Sequence, residues 1–133
     1  MQALDHISIT VRDLARALSF YDAIFSALEM KKAYERPDAA GYGERNRPNN
    51  DGHSYLSVYQ SAAASPDPRR HLCLRAQSAA QVRAFHAAGL AAGGRDAGAP
   101  GLRPDYHPAY YAAFLEDPEG NRLEAVCHRG ENS

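Results

Sequence analysis

The sequence carries one short pattern twice, and this repeat limits the fold more than any other feature. His6-Ile7-Ser8-Ile9-Thr10 returns as His71-Leu72-Cys73-Leu74-Arg75, and each copy leads into a helix-like segment with a phenylalanine at a matched distance, Phe20 and Phe85. The offset is 71 − 6 = 65 for the histidines and 85 − 20 = 65 for the phenylalanines, close to half of the 133 residues. A repeat of strand, helix and leading histidine predicts two copies of one unit facing each other. Two histidines related by such a pseudo-dyad would converge on one site, which makes a metal the first hypothesis.

Hydrophobic periodicity fills in each unit. Residues 4–11 alternate, with Leu4, His6, Ser8 and Thr10 on one face and Ile7, Ile9 and Val11 on the other, as in a half-buried strand. Asp13 offers an N-cap, and Leu14, Ala17, Leu18, Tyr21, Ile24, Phe25 and Leu28 recur at helical spacing, predicting a helix that ends near Ala27. Weaker strands are read at Met30 to Arg36 and Ala40 to Glu44. Turn residues from Arg45 to Gly52 precede a fourth strand, His53 to Gln60. After a Pro66- and Pro68-bearing connector, the second copy gives a strand at His71 to Arg75 and a Ser78-capped helix to about Ala92. Arg95 to Pro108 reads as an ordered loop with at most a short strand, and strands follow at Ala109 to Glu116 and Asn121 to His128. Matching the hairpins at an offset of 68 pairs Tyr42 with Tyr110 and Gly52 with Gly120. The expectation is one domain over residues 1–133, with module one at about 1–62 and module two at about 69–130.

Bulk properties narrow the function. The formal net charge is −1 with no basic stripe, so nucleic acid and anionic membranes are not expected partners. No apolar run approaches the ~20 residues of a membrane span, and the first residues do not read as a signal peptide. Cys73 and Cys127 lack a CxxC spacing, and a reducing cytoplasmic setting is expected. No nucleophile elbow, P-loop or dinucleotide fingerprint is present.

The opening Leu4-Asp5-His6-Ile7-Ser8-Ile9-Thr10-Val11-Arg12-Asp13-Leu14, with Phe20-Tyr21, resembles the vicinal oxygen chelate superfamily of glyoxalases, bleomycin-resistance proteins and extradiol dioxygenases. So does the close, Phe114-Leu115-Glu116-Asp117-Pro118-Glu119-Gly120-Asn121-Arg122-Leu123-Glu124-Ala125-Val126. The resemblance implies an α+β fold in which two βαβββ modules form an open, eight-stranded, barrel-like cleft. It implies metal ligands at His6, His71 and Glu124, and a homodimer, in some members with modules of two chains completing each cleft. The fourth ligand of glyoxalase I would fall, at an offset of 68, on Leu56 with Tyr55 and Ser57 as neighbours. None of these is a convincing ligand, which weakens a glyoxalase I activity.

Two imidazoles and one carboxylate make a facial triad with open positions, suited to a divalent ion such as Fe, Mn, Zn, Ni or Co. Tyr106, His107 and Tyr110, in a proline-stiffened segment, are candidate proton-handling residues. Tyr42, Tyr55, Arg103 and Tyr111 are candidate substrate contacts, and Cys73 is read as a small buried packing residue. No clear lysine–arginine anion pocket of the kind found in fosfomycin-resistance enzymes is legible. The expected function is a metal-dependent enzyme acting on a small substrate that chelates the ion through adjacent oxygens, as a dioxygenase, a lyase or isomerase, or a thiol transferase. The alternative is a non-catalytic small-molecule binding protein of the bleomycin-resistance type.

Overall fold

The computed structural model describes residues 3–133. The first module comprises β1 (His6–Val11), α1 (Leu14–Ala27), β2 (Lys32–Arg36), β3 (Ala39–Gly43) and β4 (Tyr55–Gln60). The second comprises β5 (His71–Arg75), α2 (Ala79–Ala91), β6 (Arg95–Leu102), β7 (Tyr111–Glu116) and β8 (Arg122–Cys127). Each module is a four-stranded sheet, ordered β1-β4-β3-β2 and β5-β8-β7-β6, with the first and last strands parallel and the rest antiparallel. This is the expected α+β pair of βαβββ units, and the sheets are not closed.

Both helices start where capping residues put them. Asp13 accepts from the Arg16 N–H and Ser78 from the Gln81 N–H, each at 3.1 Å, satisfying donors the first turn leaves open. The alternation of β1 and β5 also holds. Ile9 and Val11 are buried, Leu72 and Leu74 pack against the core, and His6, Ser8, Thr10, His71, Cys73 and Arg75 lie on the opposite, exposed sides. The longest departure from expectation is β6, which is an eight-residue strand despite Gly98, Pro100 and Gly101. Register shifts on both sides of Gly98 let it stay paired with β7 around these residues.

The helices lie between the apolar sides of the two sheets. Leu56, Val58, Ala40 and Tyr42 of the first sheet and Leu115, Leu123, Ala125 and Cys127 of the second belong to one core with Phe20, Tyr21, Ile24, Phe25, Val82 and Phe85. Gly89 of α2 is the close-approach point. A methyl group there would overlap Leu115 and stand 3.1 Å from both Ile24 and Phe20 of α1. The polar sides of the sheets therefore face away from a shared helical layer.

The Asp117-Pro118-Glu119-Gly120-Asn121 turn ties the second module to the first. Asp117 is fully buried, and its carboxylate accepts from the Tyr21 hydroxyl (2.7 Å), the Glu119 and Asn121 N–H groups (2.8 and 2.9 Å) and Asn121 Nδ2 (2.8 Å). Burial, then the adjacent Asp117 charge, raises the Tyr21 phenol well above its ordinary pKa and keeps it a donor. Glu119 accepts from the Arg12 and Asp13 N–H groups (2.6 and 2.8 Å), placing a negative charge at the N-terminal end of α1. The turn that is most distinctive in the sequence thus acts as a clasp between modules.

Candidate functional site

The register defines the equivalent positions of the modules. Across the first sheet Ser8, Ser57, Gly41 and Tyr34 form one row; across the second the same row is Cys73, Glu124, Phe114 and Gly98. The counterpart of Glu124 is therefore Ser57, at an offset of 124 − 57 = 67, and not Leu56, whose side chain enters the core. Tyr42 corresponds to Leu115 and not to Tyr110, because the β6–β7 connection is longer than the two-residue β2–β3 turn. Ser57 and Glu124 are both buried, at 3% exposure each.

On the second sheet Glu124 is the centre of a polar cluster. His71 Nε2 lies 3.2 Å from Glu124 Oε1, and the Tyr110 hydroxyl donates to Oε2. Burial, then this bond to the carboxylate, raises the Tyr110 pKa, so the phenol is protonated at neutral pH. Cys73 is not a buried filler. It is exposed on the same face, and partial desolvation plus the Glu124 charge push its thiol up to about 12. A phenylalanine, Phe114, carries the His71 ring at 6.2 Å and the Arg103 guanidinium at 5.7 Å. Arg103 is also held by the Gly101 and Ala99 carbonyls, at 2.9 Å each.

On the first sheet His6 stacks on Tyr55, with ring centroids 5.0 Å apart and planes 12° from parallel. Asp5 bridges two histidines. Its Oδ1 meets His6 Nδ1 at 2.6 Å, and its Oδ2 stands 2.8 Å from His53 Nε2, off the line of a hydrogen bond. The His6 hydrogen bond is the main cause that holds the Asp5 carboxyl below its ordinary pKa. With Nδ1 engaged by a carboxylate, His6 has Nε2 free, the arrangement that orients a metal-binding imidazole. His53 was not assigned from sequence; it is buried, donates from Nδ1 to the Asn50 carbonyl at 2.8 Å and stacks on Tyr55.

Among the described residues no three His, Cys, Asp or Glu side chains gather in a metal-holding group. His71 and Glu124 meet, whereas the polar partners of His6 lie in its own module. Two candidate substrate contacts are corrected. Tyr42 is 1% exposed, stacks on Phe25 and donates to Asp22 at 2.7 Å, and Tyr111 is buried in the core beneath the Arg83 guanidinium. Strand alternation explains both, since Tyr42 shares its side with Ala40, and Tyr111 with Ala113 and Leu115. Tyr55 lies on the polar face.

His107 is committed to its loop. The Ala109 N–H donates to its Nδ1 at 3.1 Å, which fixes the proton of the neutral ring on Nε2, 2.9 Å from His128 Nδ1. Tyr106 is 67% exposed and packs on Tyr110. Tyr110 is the member of this segment that reaches Glu124. A residue missed in the sequence is Tyr34. Its ring occupies the space a Gly41 side chain would need, and its hydroxyl donates to Ser57 Oγ at 2.8 Å.

A family model described as the Glyoxalase/Bleomycin resistance protein/Dioxygenase superfamily matches residues 3–125. Among solved structures, a glyoxalase/bleomycin resistance protein from Albidiferax ferrireducens is 28% identical with a TM-score of 0.78, covering 94% of this chain and 98% of that one. A glyoxalase-related enzyme from Fulvimarina pelagi is 18% identical with a TM-score of 0.70, covering 95% and 88%. A fosfomycin resistance protein from Mesorhizobium loti is 16% identical with a TM-score of 0.59, covering 95% and 92%. No curated protein matches the chain. Among the described residues no helix is long and apolar enough to cross a membrane.

Proposed function

The chain belongs to the glyoxalase/bleomycin resistance protein/dioxygenase superfamily, and from that premise we propose that it is a metal-dependent enzyme whose site is completed by a second copy of the chain. Members of the superfamily commonly use divalent metals, and many are enzymes. The proposed donors are His6 of one protomer with the partner subunit's His71 and the partner subunit's Glu124. The observation that carries this reading is the split of the donor set. His71 and Glu124 meet at 3.2 Å, His6 is poised by Asp5 with Nε2 free, and the polar faces bearing them point away from one shared core.

The donor set fits a divalent ion: two imidazoles, His6 with Nε2 free and His71 with Nε2 beside the carboxylate, and the Glu124 carboxylate itself. When bound, such an ion would supply Lewis-acid polarisation of adjacent substrate oxygens. The chain's own residues then hold the geometry. Asp5 fixes the His6 ring, and Tyr110 orients the Glu124 carboxylate through its hydroxyl. The Tyr110 phenol, kept protonated, is the proton donor nearest that carboxylate, and the neutral Cys73 thiol beside it contributes no competing negative charge. The choice among dioxygenase, lyase or isomerase, and thiol-transferase chemistry rests with the substrate. A cytoplasmic setting accords with the two unpaired cysteines.

A mixed-chain experiment tests the reading. His6→Ala and Glu124→Ala chains are purified separately, assayed for bound metal, then unfolded together and refolded as a mixture. Each variant alone should hold no stoichiometric metal, whereas mixed dimers should regain one intact site. Absence of recovery in dimers shown to be mixed, or a monomeric wild type, refutes the shared site. The binding-protein reading is favoured by the internal pairing of Glu124 with His71 and Tyr110. It would be supported by a wild-type chain that binds no Fe, Mn, Ni, Co or Zn.

A further inference from the structure

On the polar face of the first sheet, two positive charges converge on one aromatic ring without a negative partner. The Arg36 and Arg45 guanidinium carbons each lie 5.0 Å from the Tyr34 ring centroid, so no more than twice that distance separates them. Both arginines are exposed, and neither forms an ion pair among the described residues. Of the carboxylates flanking them in sequence, Asp38 forms no ion pair among the described residues, and the other two are engaged. Glu35 pairs with Lys32, and Glu44 is held by Arg47 at 2.8 Å and Asn50 at 3.0 Å. Two like charges at this spacing fall within about one Debye length at physiological ionic strength and repel each other until an anion joins them.

The ring they share is fixed rather than loose. Tyr34 fills the space above Gly41, where any side chain would collide with it, and its hydroxyl is bonded to the buried Ser57. Guanidinium groups anchored by cation–π contact to an immobilised ring present their donors with little ordering left to do, and their fork geometry matches carboxylate and phosphate oxygens.

We propose that Tyr34, Arg36 and Arg45 form a recognition subsite for the anionic oxygen group of a small organic ligand lying across the first sheet. This adds a substrate class to the metal-site reading and rests on it only in treating the polar face as the ligand side. The subsite lies on β2, three strands from β1 in the order β1-β4-β3-β2. At ~4.8 Å per strand this places it about 14 Å from the His6 strand. Tyr55, stacked on His6, and Tyr34, tied to Ser57, provide aromatic surface along that path. The favoured ligand is elongated, with a carboxylate, phosphate or phosphonate at the end remote from His6.

Benzoate and its neutral counterpart benzamide are suitable probes, followed by amide NMR titration of the whole chain. Benzoate should shift Gly41, Ser57 and β2 resonances saturably, and benzamide should bind roughly tenfold more weakly or worse. The Arg36→Gln/Arg45→Gln double variant should lose roughly tenfold in benzoate affinity, with the wild-type affinity falling as salt is raised. His6→Ala should leave benzoate binding intact even where it abolishes metal binding, which separates the two ideas. Absence of saturable benzoate shifts on β2–β4, equal binding of benzamide, undiminished binding by the double variant, or loss of benzoate binding in His6→Ala would each overturn the proposal.

Discussion

Replacing Tyr21 by phenylalanine tests the clasp between modules with one oxygen atom. The hydroxyl is buried, donates at 2.7 Å to a fully buried carboxylate, and links residues 96 apart in sequence. A hydrogen bond to a charged group contributes about 1.5–3 kcal/mol. Asn121 Nδ2 still donates to the same Asp117 oxygen, so the carboxylate is not left bare and the expected loss is about 2 kcal/mol. For a chain of 133 residues this lowers Tm by roughly 6–10 °C. Urea unfolding followed by far-UV circular dichroism reads the change as a lower midpoint at constant slope. Asp117→Asn should cost more, about 3 kcal/mol. It keeps an acceptor for the Glu119 and Asn121 N–H groups but turns an amide donor toward Asn121 Nδ2. A Tyr21→Phe loss below about 0.5 kcal/mol would refute the clasp, since that is the range of an ordinary surface change.

Three further outcomes follow from the packing and the polar face. Gly89→Ala should destabilise by about 1–3 kcal/mol through overlap with Leu115, measured by the same urea assay. Glu119→Ala should cost about 1 kcal/mol, because the Arg12 and Asp13 N–H groups lose a charged acceptor at the start of α1, and the deficit should shrink in high salt. Cys73 has a raised acid pKa of about 12, so its thiol form persists through neutral and mildly basic pH. Its alkylation by iodoacetamide should stay slow at pH 8 and accelerate only in the approach to that value, as mass spectrometry can follow; a midpoint near that of a free thiol would contradict the assigned surroundings.

Much of this architecture was legible because strand alternation and capping are local signals. His6 with Ile7, and His71 with Leu72, announce which side of each strand is polar, and Asp13 and Ser78 mark both helix starts. The site was harder because equivalence between modules depends on loop lengths that change the offset from 65 at the first strands to 67 at the last and 73 at the third. A fixed offset of 68 therefore put Leu56 where Ser57 belongs and matched Tyr42 to Tyr110. Tyr42 and Tyr111 have residue types that suit either a ligand surface or a core with a polar neighbour, and Asp22 and Arg83 supply those neighbours. Tyr34 gave no signal, since its importance comes from Gly41 across the hairpin and from Arg45 in a loop.

The rows that relate the modules also contain an exchange. Tyr34 faces Gly41 in the first, and Gly98 faces Phe114 in the second, so ring and glycine have traded strands. If both halves descend from one unit, only one order of the two changes is tolerable. Gaining the second aromatic first places two rings in the space of one, whereas losing the first ring leaves glycine opposite glycine on an exposed face that water can occupy. The passable history runs through the emptied pair. Module transplantation is bound by the same rule: moving Phe114 to position 41 requires Tyr34 to become glycine first or in the same step.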